Sequence, residues 1–122
     1  MAHYVDGFVI PMQRRKMKAY LRQAKLGARL WKAHGALAYS ECVAEDLMVP
    51  FGLGFRKLAR LKAGETVVFS WIVFRSRAHR DKVNAAVMKD PRMSDPAMMG
   101  PMPFDVRRMA VGGFEVLVTW AT

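Results

Sequence analysis

Residues 66–74, TVVFSWIVF, constrain the fold more than any other stretch of the chain. The run is β-branched and aromatic almost throughout, which suits a pleated strand. Alternation sends Val67, Phe69, Trp71 and Val73 to one side and Val68, Ser70, Ile72 and Phe74 to the other. A strand that is apolar on both faces belongs inside a sheet covered on both faces. The run is far shorter than the roughly 20 residues a membrane helix needs, so no membrane partner is expected.

The flanking segments alternate between two periods. Residues 4–10 read as a strand ended by Pro11, with Tyr4, Asp6, Phe8 and Ile10 on one face. Residues 14–34 read as a helix whose apolar stripe is Met17, Tyr20/Leu21, Ala24, Ala28 and Trp31, with Gly35 as its stop. Residues 36–44 alternate again and place Leu37, Tyr39, Glu41 and Val43 on one face. Residues 45–54 form a loop broken by Pro50, Gly52 and Gly54, and residues 55–61 suggest a short extra strand. Ser76 is a suitable N-cap for a second helix with the stripe His79, Val83, Ala86 and Val87, closed by Asp90 and Pro91. A Pro/Met-rich loop over 91–103 leads to a last strand over 109–120. There Gly112 and Gly113 imply a bulge or a close backbone approach.

The order β-α-β-β-α-β predicts an α+β, ferredoxin-like domain spanning 1–122, with an antiparallel sheet and two helices on one face. The face without helices also needs cover. A second copy of the same sheet supplies it most simply, giving a homodimer with a barrel-like interior, a dimeric α+β barrel.

Composition narrows the setting. The 122 residues are 52% hydrophobic, which excludes disorder. The single cysteine, Cys42, allows no internal disulfide and suits a reducing cytoplasm; its strand position suggests a buried, inert thiol. The start MAHYVDGFVIP lacks a basic leader and carries Asp6 in its apolar run, unlike a signal peptide. Formal net charge is +10. Between Gly7 and Ser40 there is no acidic residue, while Arg14, Arg15, Lys16, Lys18, Arg22, Lys25, Arg29 and Lys32 all fall there. Such a segment reads first as a solvated helix face that keeps the protein soluble. RNA binding, which the shared element order would allow, ranks behind it because the bases sit on a helix and the sheet lacks the Lys/Arg-Gly-aromatic signature.

Several blocks together resemble a known family: VDGFV near the start, WKAHGAL at 31–37, ETVVFSWIVF and SRAHRD across 65–81, NAAVMKDPRM at 84–93 and MPFDVRRMAVGGFEVLV at 102–118. They are similar to the bacterial YbaA-like proteins, a family with a domain of unknown function. The resemblance implies a dimeric α+β barrel and carries no assigned activity. The wider fold group includes cofactor-free monooxygenases, haem enzymes and ligand-binding regulatory modules, so the fold does not choose a chemistry.

His79 is the first candidate for proton transfer, since imidazole exchanges protons near neutral pH. The ordinary alternative is a structural histidine bonded to backbone or to Glu41. Glu41, mid-strand among apolar neighbours, is the second candidate catalytic residue; a carboxylate there must find a partner or shift its pKa. Asp6 meets the same condition. The two carboxylates could form an acid/base pair from neighbouring strands, or each could pair with Arg107 or Arg108. Trp31, Tyr39, Phe69, Trp71 and Phe104, with Met102, could line a pocket for a flat organic ligand, although core packing alone would also use them. Met93, Met98, Met99 and Met102 suggest a lid or a dimer contact rather than a copper site, because no His or Cys joins them. His3, His34 and His79 lack metal-ligand spacing, so neither metal nor cofactor is expected. The expected function is an unidentified small-molecule pocket, serving a cofactor-free oxygenase or isomerase-like enzyme or a non-catalytic binding module.

Overall fold

The structure is a computed structural model that describes residues 3–121. Four strands form one antiparallel sheet: β1 (Tyr4–Gln13), β2 (Ala38–Val43), β3 (Glu65–Phe74) and β4 (Ala110–Glu115), in the order β2-β3-β1-β4. Two long helices, α1 (Met17–Ala33) and α3 (Arg77–Lys89), make the crossovers. Short helices α2 (Phe55–Leu58) and α4 (Pro96–Met99) lie in the connections. This is the ferredoxin-like α+β arrangement that the alternating periods imply.

The doubly apolar run is β3, hydrogen-bonded between β1 and β2. β1 and β3 pair over ten residues, from Tyr4 opposite Phe74 to Gln13 opposite Glu65. Their even-numbered residues face the helices. Two clusters form there: Ile10, Met12, Tyr20, Ala24 and Val68, and Leu30, Ile72, Phe74, Val83 and Val87. The odd-numbered residues face the other way. From Val67 to Val73 on β3, and across Val5, Val9, Ala38, Ser40, Cys42, Ala110 and Phe114, that face carries no charge.

Local chemistry sets the ends of the helices. Ser76 Oγ accepts from the backbone N–H of His79 at 3.1 Å and starts α3. Asp90 closes α3, and its side chain then accepts from Arg92 N–H to start the following 3-10 turn. Gly35 takes φ +104 just beyond α1, a left-handed stop that favours glycine.

Five details differ from the sequence reading. β1 does not end at Pro11 but runs to Gln13; past Val9 only β3 flanks it, and proline is tolerated on a strand with a free edge. The stretch expected as an extra strand at 55–61 is α2, because Arg56, Lys57, Leu58 and Ala59 are good helix formers behind an extended Gly54. β2 is shorter, starting at Ala38. β4 ends at Glu115, since β1 begins at Tyr4 and offers no ladder beyond it; Leu117, Val118 and Trp120 are exposed. Cys42 is exposed rather than buried, because it stands on the helix-free face.

Candidate functional site

The two core clusters do not close completely. A cavity of about 590 Å³ remains between the sheet and α1, with walls drawn from both clusters, from α3 and from the Met-rich segment. Phe8, Ile10, Ile72, Met98, Met102 and Phe104 make it largely apolar. Its charged groups are Glu41, bonded to Tyr20 and Tyr39, and Asp6 with Arg80; Asn84, Gln23, Ser40 and Ser70 add neutral polar atoms.

Glu41 is the centre of the first group. Strand alternation puts Tyr39 and Glu41 on the same face of β2, two residues apart. Tyr39 Oη donates to Glu41 Oε2 at 2.7 Å, and Tyr20 Oη, reaching down from α1, donates to Oε1 at 2.6 Å. Each carboxylate oxygen is therefore fixed by a donor from a different element. Burial, followed by the adjacent carboxylate, pushes both phenols well above the usual tyrosine value. They stay protonated and remain donors.

Gly27 permits this arrangement. A Cβ there would lie 2.9 Å from Tyr39 Oη, too close for the hydroxyl to stay where it is. Gly27→Ala should gain up to about 1 kcal/mol of helix propensity while displacing Tyr39 from Glu41. The expected result is a stability change below about 1 kcal/mol together with an earlier alkaline onset of tyrosinate absorbance. An unchanged titration would show that the contact does not govern Tyr39.

The second group joins β1 to α3. Asp6, buried, accepts from Arg80 Nη1 at 2.7 Å, and Arg80 Nε also donates to Asp81 at 2.8 Å. The guanidinium lies over the Tyr4 ring, 4.9 Å from its centroid. Gly113, opposite Asp6 on β4, leaves room for that ring: a Cβ there would run into Tyr4. The β1–β4 register is unbroken, so Gly112 and Gly113 mark a close approach and not a bulge. Asp6 therefore pairs with Arg80, and neither Arg107 nor Arg108 is its partner. β3 separates the strands that carry Asp6 and Glu41, so the two carboxylates are not on neighbouring strands. Nearby, Trp31 Nε1 donates to Asn84 Oδ1 at 2.9 Å.

Trp31, Tyr39, Glu41, Met102 and Phe104 all line the cavity. Trp71 borders it too, yet its position on β3 directs its ring to the helix-free side, where it packs 5.6 Å from Phe69. Phe69 points the same way and is no part of the cavity wall. His79 is placed elsewhere. Its Nδ1 accepts the Arg75 backbone N–H at 3.0 Å, and its ring stands edge-on to Phe74. Burial first, then Arg75 and Lys82, hold its pKa below the ordinary histidine value, so it is neutral at pH 7. The structure thus brings Glu41 to the cavity and leaves His79 outside its lining.

Tyr20, Gly27, Arg80 and Asn84 were not singled out by the sequence. Tyr20 read as plain core, and its hydroxyl becomes significant only when β2 is placed beneath α1. Among the described residues, no three His, Cys, Asp or Glu side chains converge to hold a metal, and no helix is long and apolar enough to cross a membrane.

Comparison with known proteins places the chain. The model of a protein family of unknown function, DUF1428, matches residues 3–106. The chain belongs to the DUF1428 family. The uncharacterised protein YbaA of Escherichia coli strain K12 is 44% identical over 117 residues, covering 94% of this chain and 97% of YbaA. YbaA of Shigella flexneri matches to the same extent. A solved structure described as a dimeric ferredoxin-like protein, from an uncultured marine organism, superposes with a TM-score of 0.58 at 13% identity and covers all of both chains. That likeness concerns the fold. The DUF1428 match includes Asp6, Tyr20, Tyr39, Glu41 and Arg80 but stops short of β4, whose Val111, Gly112 and Gly113 complete the cavity wall.

Proposed function

We propose that this DUF1428 protein is a cytoplasmic homodimer that holds a flat, mainly apolar small molecule in the cavity of each chain, with Glu41 accepting its polar hydrogen. One observation carries this reading: a carboxylate gripped by two tyrosine hydroxyls, at 2.6 and 2.7 Å, inside an apolar cavity of about 590 Å³. That volume suits a drug-sized ligand, and sparse convergent polar groups set orientation in such pockets. Tyr20 and Tyr39 hold Glu41 at one end, and Arg80 and Asn84 present donors at another. The pattern fits proton transfer without a cofactor, as in an oxygenase or isomerase-like enzyme: Glu41 takes a proton and a fixed donor steadies the charge that develops. The occupied state of both Glu41 oxygens also supports a second reading, a binding module in which Glu41 only recognises its ligand.

The uncharged outer face supports the dimer. On a chain of net charge +10, Phe69 is 46% and Phe114 is 60% exposed there, and a second copy of the same face would cover both. The relative of similar fold is described as dimeric. A lone cysteine agrees with a reducing cytoplasm.

Native mass spectrometry of the protein as purified tests the proposal. A species of about twice the 13.8 kDa chain, carrying a reproducible small mass per chain, is expected. Ala24→Leu, which grows into the cavity, should remove that extra mass. Glu41→Gln should reduce its occupancy by about tenfold or more, the loss that goes with a charge-assisted hydrogen bond. An empty monomer would refute both the pocket and the dimer.

A further inference from the structure

We propose that the outer face of α1 is a docking surface for the phosphate backbone of double-stranded nucleic acid, independent of the cavity. Lys18, Arg22, Lys25, Arg29 and Lys32 recur at spacings of four, three, four and three, so they stack in one file along the helix. Arg15 continues the file into the 3-10 turn that precedes α1, and Arg and Lys alternate strictly along it. All six are exposed. The opposite face of α1, Tyr20, Ala24, Gly27 and Leu30, is buried against the sheet.

Two observations separate this file from an ordinary solvated face. No acidic residue occurs between Gly7 and Ser40, so α1 has no Glu or Asp to alternate with its cations. Among the described residues, Asp6, Glu65, Asp81, Asp90 and Asp105 form ion pairs, with His34, Arg80, Arg92, Arg107 and Arg108, and no ion pair involves the file. Like charges three and four apart destabilise a helix, and a face kept only for solubility would mix signs. Cations in that arrangement gain most from an external polyanion.

The shape of the file favours a nucleic acid over an anionic membrane. It is a narrow seam, an arginine column beside a lysine column, about 21 Å long from Lys18 to Lys32. A narrow seam matches a linear chain of phosphates better than a plane of headgroups. Nor can α1 insert into a bilayer, since its apolar face is already committed to the core. The file presents no Asn or Gln for base edges, so binding would ignore sequence and depend strongly on salt.

The test is fluorescence anisotropy of a labelled 20-base-pair DNA duplex of mixed sequence, titrated with the full chain at several KCl concentrations. Micromolar binding at low salt is expected, with log K falling against log salt at a slope of about −4.5 for five phosphate contacts. The triple variant Arg22→Gln/Lys25→Gln/Arg29→Gln should reduce the slope by about 2.7 and weaken binding by more than tenfold. Lys18→Gln/Lys32→Gln, at the ends of the file, should reduce it by about 1.8 and serves if the triple variant fails to fold. Lys57→Gln/Arg77→Gln/Lys89→Gln removes the same charge elsewhere and should change the slope far less. Equal losses in the two triple variants would mean that net charge alone attracts the duplex, which overturns the proposal. Absence of binding at 50 mM KCl overturns it too. Sedimentation with phosphatidylserine vesicles that the duplex cannot compete away would replace it with a membrane surface.

Discussion

Arg108→Met should destabilise the protein by about 3 kcal/mol, lowering its melting temperature by about 10 °C. Arg108 Nη1 and Nη2 donate to the two carboxylate oxygens of Glu65 at 2.7 and 3.0 Å. Nη2 also donates to the carbonyls of Arg60 and Ala59, at 2.9 and 3.3 Å. The side chain therefore ties the start of β3 to the end of the α2 turn, where Arg60 is held at φ +51. Glu65 is 7% exposed, so removing its charged partner leaves a buried carboxylate with only the Lys62 backbone N–H, at 2.7 Å, to hold it. Replacing both residues with methionine should recover much of the loss, because an apolar pair strands nothing. Urea unfolding of the four variants measures the coupling. A single-variant loss below about 1 kcal/mol would show that water already satisfies Glu65.

The same pair sets a pH dependence. Hydrogen bonds from Arg108 and from the Lys62 backbone N–H lower the Glu65 pKa from 4.5 to about 2. A carboxylate whose pKa is lower in the folded chain stabilises the fold above its unfolded value. That contribution is lost as pH falls from about 4.5 through about 2. The wild-type urea midpoint should decline across that window more steeply than that of Arg108→Met.

Most of the architecture was legible because hydrophobic period is a local property. β3 declared itself through TVVFSWIVF, and Ser76 and Asp90 marked the two ends of α3. Period does not report what happens between elements. On α1 the buried stripe runs through Gly27 and Leu30 rather than Leu21 and Ala28, while Tyr20, Ala24 and Trp31 do face the core; a glycine gives no hydrophobic signal although Tyr39 needs its space. Glu41 stood out as a carboxylate in an apolar alternation, but Tyr20, its second partner, lies 21 residues away on another element. Asp6 was equally visible, while its partner Arg80 depends on how α3 lies across the sheet. His79 shows the reverse case. Its place at the head of the stripe is real, but the Ser76 cap turns the chain so that its Nδ1 meets the Arg75 backbone instead of the cavity.

Phe69→Glu should convert the proposed dimer to a monomer without unfolding the chain. Phe69 lies on β3, one of the two central strands, on the helix-free face and beside Trp71 and Phe55. It is 46% exposed in the single chain, so a carboxylate at this site can reach water when the partner is absent. The cost to folding should be about 1–2 kcal/mol, mainly for lost apolar contact. In a two-fold interface the same substitution enters twice and sets two like charges against an uncharged surface. Burying each without a partner costs several kcal/mol, and every 1.4 kcal/mol is tenfold in affinity. A weakening of dimerisation by about a thousandfold or more follows. Sedimentation equilibrium should then report the 13.8 kDa monomer at micromolar concentration, with far-UV circular dichroism unchanged. Cys42, on the same face, provides an independent reading: it should react with a thiol reagent slowly in the dimer and quickly in the variant. A variant that keeps the doubled mass would place the contact on another surface, and the uncharged face of the sheet would need a different partner.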